Sequence, residues 1–113
     1  MRRALIRAAA LGVALTALLP VAAHAEEWRY CVAQDEVGGR FFLSEAFPTE
    51  KPIDAVEQEF NGFLDKAGLN HRWGICPKAE NAFDAAADVA HAARYNRLIG
   101  LDQRPIAWPD QPS

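Results

Sequence analysis

The chain has 113 residues, half of them hydrophobic, and a formal charge of −3. All 15 acidic residues follow position 25 while three of the 12 basic ones precede it, so the part beyond carries about −6 and contains no basic cluster. That balance excludes nucleic acid and anionic lipid surfaces as partners, and the length leaves room for one small domain.

The N-terminus has the pattern of a secretory leader. Arg2, Arg3 and Arg7 form a positive start, Ala8 to Leu19 is an apolar run, Pro20 breaks it, and Ala23-His24-Ala25 places small residues where a signal peptidase reads. The run is too short to span a bilayer. The expected organisation is a signal peptide at 1–25, a single domain at 26–109 and a flexible tail at 110–113. After cleavage the product is not an integral membrane protein, and its destination is the periplasm or the exterior.

An exported chain meets an oxidising compartment, which turns Cys31 and Cys76 into a candidate disulfide. Closing a loop of that length would restrict the unfolded chain by about 4 kcal/mol on the loop-entropy model. The alternatives are a reactive thiolate or a metal pair. Each needs a charged neighbourhood or further ligands, and neither a CxxC motif nor a Cys/His cluster is present.

From Trp28 the chain runs through aromatic and β-branched residues to Ala33, turns through Asp35-Glu36-Val37-Gly38-Gly39, and continues as Arg40-Phe41-Phe42-Leu43. This is a hairpin signal, with glycine supplying the positive φ of the turn. Phe47-Pro48 ends the second strand. Apolar residues at 53, 56, 60, 63, 64 and 67 then mark one face of a helix, opened near Pro52 and stopped by Gly68. Leu69 to Cys76 is either a third strand or an irregular connection. Ala79 to Leu98 reads as an alanine-rich second helix with Phe83, Ala86, Ala87, Ala90 and Ala93 on its packing side and Gly100 beyond its end. Arg104 to Trp108 reads as a final edge strand, because Pro105 cannot donate to a ladder. The order predicts an α+β two-layer sandwich, a mainly antiparallel sheet of three to four strands with both helices on one face and one disulfide.

Three groups of residues are candidates for function. If Cys31 and Ala33 face the helices, alternation sends Trp28, Tyr30 and Val32 to the other side of the sheet. There they form either an open aromatic platform for a sugar, peptide or partner protein or a minor core covered by a curled hairpin, the tail and Trp108. Asp84, Asp88, His91 and Tyr95 share a stripe of the second helix; they could hold a divalent metal or do acid–base work, or form the solvated side of the helix. Glu57, Glu59, Asp35 and Glu36 read as surface charges, His71 as a loop residue, and Ser44 as a turn hydrogen-bonding group rather than a nucleophile. No Gly-x-Ser-x-Gly elbow, phosphate loop or zinc signature occurs, and no cofactor or metal site is implied.

Tyr30-Cys31, the run Phe41-Phe42-Leu43-Ser44-Glu45-x-Phe47, Cys76, an alanine-rich helix with Arg94 and Asn96-Arg97, and a closing Trp108 together resemble small exported bacterial domains without an assigned function. The resemblance implies an exported α/β unit and carries no active site. The element order is also similar to that of sporulation-related repeat domains, which bind peptidoglycan, at the level of fold alone. The expectation is a non-catalytic binding or accessory protein of the bacterial envelope, with an envelope protein, peptide or glycan as partner. A secreted effector or structural protein is the first alternative, and a small hydrolase or metal-dependent enzyme built on Asp84, Asp88 and His91 is the second.

Overall fold

The computed structural model describes residues 26–109; the expected leader at 1–25 and tail at 110–113 lie outside them. The class is α+β: strands β1 (Glu27–Arg29), β2 (Val32–Asp35), β3 (Arg40–Leu43) and β4 (Phe47–Thr49), helix α1 (Ile53–Lys66), strand β5 (Lys78–Ala79), helix α2 (Ala82–Leu98) and strand β6 (Asp102–Arg104). They form two three-stranded sheets, ordered β4-β1-β5 and β2-β3-β6. The expected disulfide joins Cys31 to Cys76.

The split into two sheets arises where one long ribbon changes register. Arg29 pairs with Phe47, but Val32 pairs with Leu43, so Tyr30 and Cys31 on one side face Ser44, Glu45 and Ala46 on the other. One extra residue in one strand is a bulge, and it inverts the alternation of everything beyond it. Phe42 and Phe47, of opposite parity, consequently enter the same core. Ser44 fills the gap. Its Oγ accepts from the Cys31 N–H at 2.8 Å and donates to the Glu45 carbonyl at 2.9 Å, while its own N–H donates to the Cys31 carbonyl. The hydrogen-bonding role read for Ser44 therefore holds, with a reach across the ribbon as well as along the turn.

The two helices occupy opposite faces rather than one. On α1's side Val56, Phe60 and Leu64 pack with Cys31, Ala33, Phe42, Phe47 and Cys76. On α2's side Ala93 packs with Phe41, Leu43 and Leu101, and Val89 and Ala92 close in with Tyr30 and Val32. The β2–β3 hairpin is thus covered on both faces, and successive residues of β2 and β3 belong to different cores, as period-two alternation requires. Trp108 does not cover Tyr30. It packs edge-to-face on Phe47 and tilted against Phe60 on α1's side, with ring centroids 5.4 and 5.1 Å away.

Both helices end as their glycines foretell. Gly68 and Gly100 take φ of +72° and +97°. After α1, Gly68 N–H returns to Asp65 and Leu69 N–H to Leu64; after α2, Gly100 N–H returns to Arg97 and Leu101 N–H to Asn96. These paired returns are Schellman closures, which satisfy carbonyls the helix leaves open. The start of α2 is set by Asn81, whose side chain accepts from the Asp84 N–H at 2.8 Å, three residues later than the sequence pattern suggested. The last strand also shifts: β6 precedes Pro105 and runs parallel to β3, pairing Phe41 with Gln103.

Candidate cleft between the Arg72–Ile75 segment and the second helix

Leu69 to Cys76 proves to be an irregular connection, held in place with unusual thoroughness for a stretch with one isolated bridge. Val32 and Ile75 exchange both backbone bonds at 2.9 and 3.0 Å, and the Arg72 N–H donates to the Gln34 carbonyl at 2.8 Å. From the other side α1 supplies two polar side chains one turn apart. Asn61, fully buried, accepts from the Gly74 N–H at 2.7 Å and donates to the Gly74 carbonyl at 3.0 Å. Glu57 accepts from the Cys76 N–H at 3.0 Å and from the Trp73 indole at 3.3 Å. A Cβ at Gly74 would lie 2.5 Å from the Phe60 ring, so only glycine lets the backbone lie this close to α1. The reading of Glu57 as a surface charge is corrected here: it is half-buried and carries structure. Asp35 is corrected likewise, being buried, accepting from the Gly38 N–H and pairing with Arg40 at 3.0 Å.

So anchored, the segment forms one lip of a cleft of about 600 Å³, within the size range of small-ligand sites. Tyr30 and Val32 line its floor, and α2 supplies the opposite lip through Asp88, His91 and Tyr95. The rims are apolar and accessible: Trp73 is 60% exposed, Ile75 51% and Tyr95 59%. One end is closed by Gln34, whose amide donates to Asn96 Oδ1 at 2.7 Å, while Asn96 donates to the Ala92 carbonyl. Arg72, also lining the cleft, has its guanidinium 3.1 Å from Glu36. Partial burial, with the neighbouring Asp88 carboxylate adding to it, raises the Tyr30 hydroxyl above the ordinary phenol range.

The structure thus brings together two sets of residues that the sequence placed apart. Tyr30 and Val32, expected on a sheet face away from the helices, lie under α2 and share the cleft with Asp88, His91 and Tyr95. Trp28, half-buried on β1 in the other sheet, does not line it. Asp84 also stands outside, beside Lys78 and Glu80. No group of three His, Cys, Asp or Glu side chains that could hold a metal occurs among the described residues, so the Asp84–Asp88–His91 stripe does not close into a metal centre. No hydrogen bond joins those three side chains among the described residues. His71 is a tie rather than a site, its ring nitrogens 2.7 Å from the Arg72 carbonyl and 2.8 Å from Asp65.

The packing side of α2 also differs from expectation. Ala85, Ala93 and Asn96 are buried, whereas Phe83 is 82% exposed. Trp73 and Ile75 were missed as site residues. The only signal for them was an aromatic and a branched residue flanking Gly74 just before Cys76. Neither a family model, nor a curated protein, nor a solved structure matches this chain.

Proposed function

We propose that this chain is a small exported, non-catalytic binding or accessory module of a bacterial envelope, and that its ligand, borne by an envelope protein, a peptide or a glycan, docks in the cleft between Arg72–Ile75 and α2. The observation that carries this reading is the exposed Trp73 and Ile75, held on a short segment by Glu57, Asn61 and the Cys31–Cys76 bond. Exposed aromatic rings on a rigid support offer contact area without an ordering penalty. The disulfide suits an oxidising compartment, and no helix among the described residues is long and apolar enough to cross a membrane.

Two measurements test the reading. A photo-crosslinking residue at position 75, on the lip, gives adducts in the native envelope, while the same residue at the more exposed position 83, on the outer side of α2, does not; adducts at 83 alone, or equally at both, contradict it. For export, protein expressed from the full chain begins at Glu26 by intact mass, and retention of residues 1–25 in the envelope fraction contradicts the leader.

A further inference from the structure

The charges of the cleft are unequally compensated. Arg72 on one lip meets Glu36 at 3.1 Å, so its charge is partly answered outside the cleft. Asp88 on the other lip is half-buried, beside Tyr30, and makes no ion pair among the described residues. His91 is the remaining titratable group of the lining besides the two tyrosines. A carboxylate drawn partly out of water without a counter-charge is unfavourable, and a cation brought to it is correspondingly welcome.

The groups around Asp88 suit such a cation. Tyr30, Tyr95 and Trp73 place three electron-rich rings in one cleft, and ring faces attract ammonium and guanidinium groups as well as apolar surface. Val32, Ile75 and Ala92 line the rest with hydrocarbon. An anion would meet the uncompensated carboxylate, and a wholly neutral apolar ligand would leave it half-buried and unpaired. Resting on the binding reading above, we infer that the cleft selects ligands in which a protonated amine or guanidinium at Asp88 is joined to an aromatic or alkyl body lying between Trp73 and Tyr95. A free amine and a lysine or arginine side chain of a peptide share this chemistry.

The test is a titration of the purified protein at pH 8, where an ordinary imidazole is neutral, followed by the amide and indole NMR signals of Val32, Trp73, Ile75 and Ala92. The probes are phenethylamine, the near-isosteric 2-phenylethanol and phenylacetate, and the peptide acetyl-Lys-Phe-amide. Phenethylamine or the lysine peptide binds at least tenfold more tightly than the neutral and anionic probes, a margin the size of one charge-assisted hydrogen bond. Asp88→Asn abolishes that margin, and Asp84→Asn, one turn earlier and outside the cleft, leaves it intact. Tighter binding of the peptide assigns a polypeptide source, and tighter binding of phenethylamine a small amine. Equal binding of all probes, or a margin that survives Asp88→Asn, overturns the cation inference while leaving the cleft as a binding site; signals that respond to none of the probes overturn both.

Discussion

Replacing Asn61 with leucine isolates what holds the Trp73 lip in place. The two side chains are close in size, so the change removes hydrogen bonds without opening a large cavity. It orphans the Gly74 N–H and carbonyl, both buried under Phe60 and Ala33. The bond from Asn61 to the Glu57 carbonyl is also lost, but that carbonyl keeps its place in the helix. Two orphaned backbone groups cost roughly 1–3 kcal/mol each, and the apolar side chain returns about 1.5 kcal/mol by leaving water. The net is about 0.5–4.5 kcal/mol, centred near 2.5, and that centre is a large share of the roughly 4–13 kcal/mol expected for a domain of this size. With a urea m-value a little above 1 kcal/mol/M, the midpoint falls by about 2 M. Amide hydrogen exchange gives the local counterpart, since the Gly74 amide loses its acceptor and exchanges faster even where the rest of the fold is protected. A midpoint within roughly 0.3 M of the parent, the size of effect a surface substitution produces, or an unchanged Gly74 exchange rate, would refute the claim that Asn61 anchors the segment.

Other outcomes follow from the same structure. Replacing both Cys31 and Cys76 with serine removes about 4 kcal/mol of loop constraint and lowers Tm by roughly 15 °C or more at about 4–8 °C per kcal/mol; a loss of only a few degrees in a thermal scan would contradict a structural role. The Asp35 carboxyl is held below the ordinary 3.8, chiefly by the hydrogen bond from Gly38 and then by Arg40. Its contribution is therefore complete above that value and disappears as pH falls through the lower folded-state value, so Asp35→Asn flattens the acid limb of stability against pH below about 4. Urea midpoints from pH 2 to 7 measure this, and parallel limbs would contradict it. For Tyr30, Asp88→Asn brings the phenol titration down toward its ordinary range, while burial keeps it above; ultraviolet difference spectra from pH 8 to 12 read the change, and an unmoved titration would separate the two groups.

Much of the fold was legible because it rests on local rules. Gly68 and Gly100 end the helices in a left-handed conformation that few other residues tolerate, Gly39 uses the same conformation in the hairpin turn, and Pro52 precedes the first helix with its φ fixed by the ring. The disulfide followed from counting two cysteines. What escaped depends on partners distant in sequence. The bulge opposite Tyr30 and Cys31 leaves no local trace beyond Ser44, yet it splits the sheet in two. The orientation of α2 was not readable because alanine occurs on every side of it, so apolar spacing does not single out the buried face. Glu57 and Asn61 resemble surface residues until the chain returns as Arg72 to Cys76 with backbone groups that need them. For that reason the Trp73 lip, and the cleft it makes with Tyr30 and Asp88, came into view only in three dimensions.

The most direct test of the cleft as the binding site is a fragment screen by amide NMR on the parent protein and on Ala92→Trp, a substitution that fills the cleft from α2. Hits that shift Val32, Trp73, Ile75 and Tyr95 in the parent and fall silent in Ala92→Trp are the predicted result. Hits that map to the outer side of α2 around Phe83, or that bind Ala92→Trp as well as the parent, would contradict it.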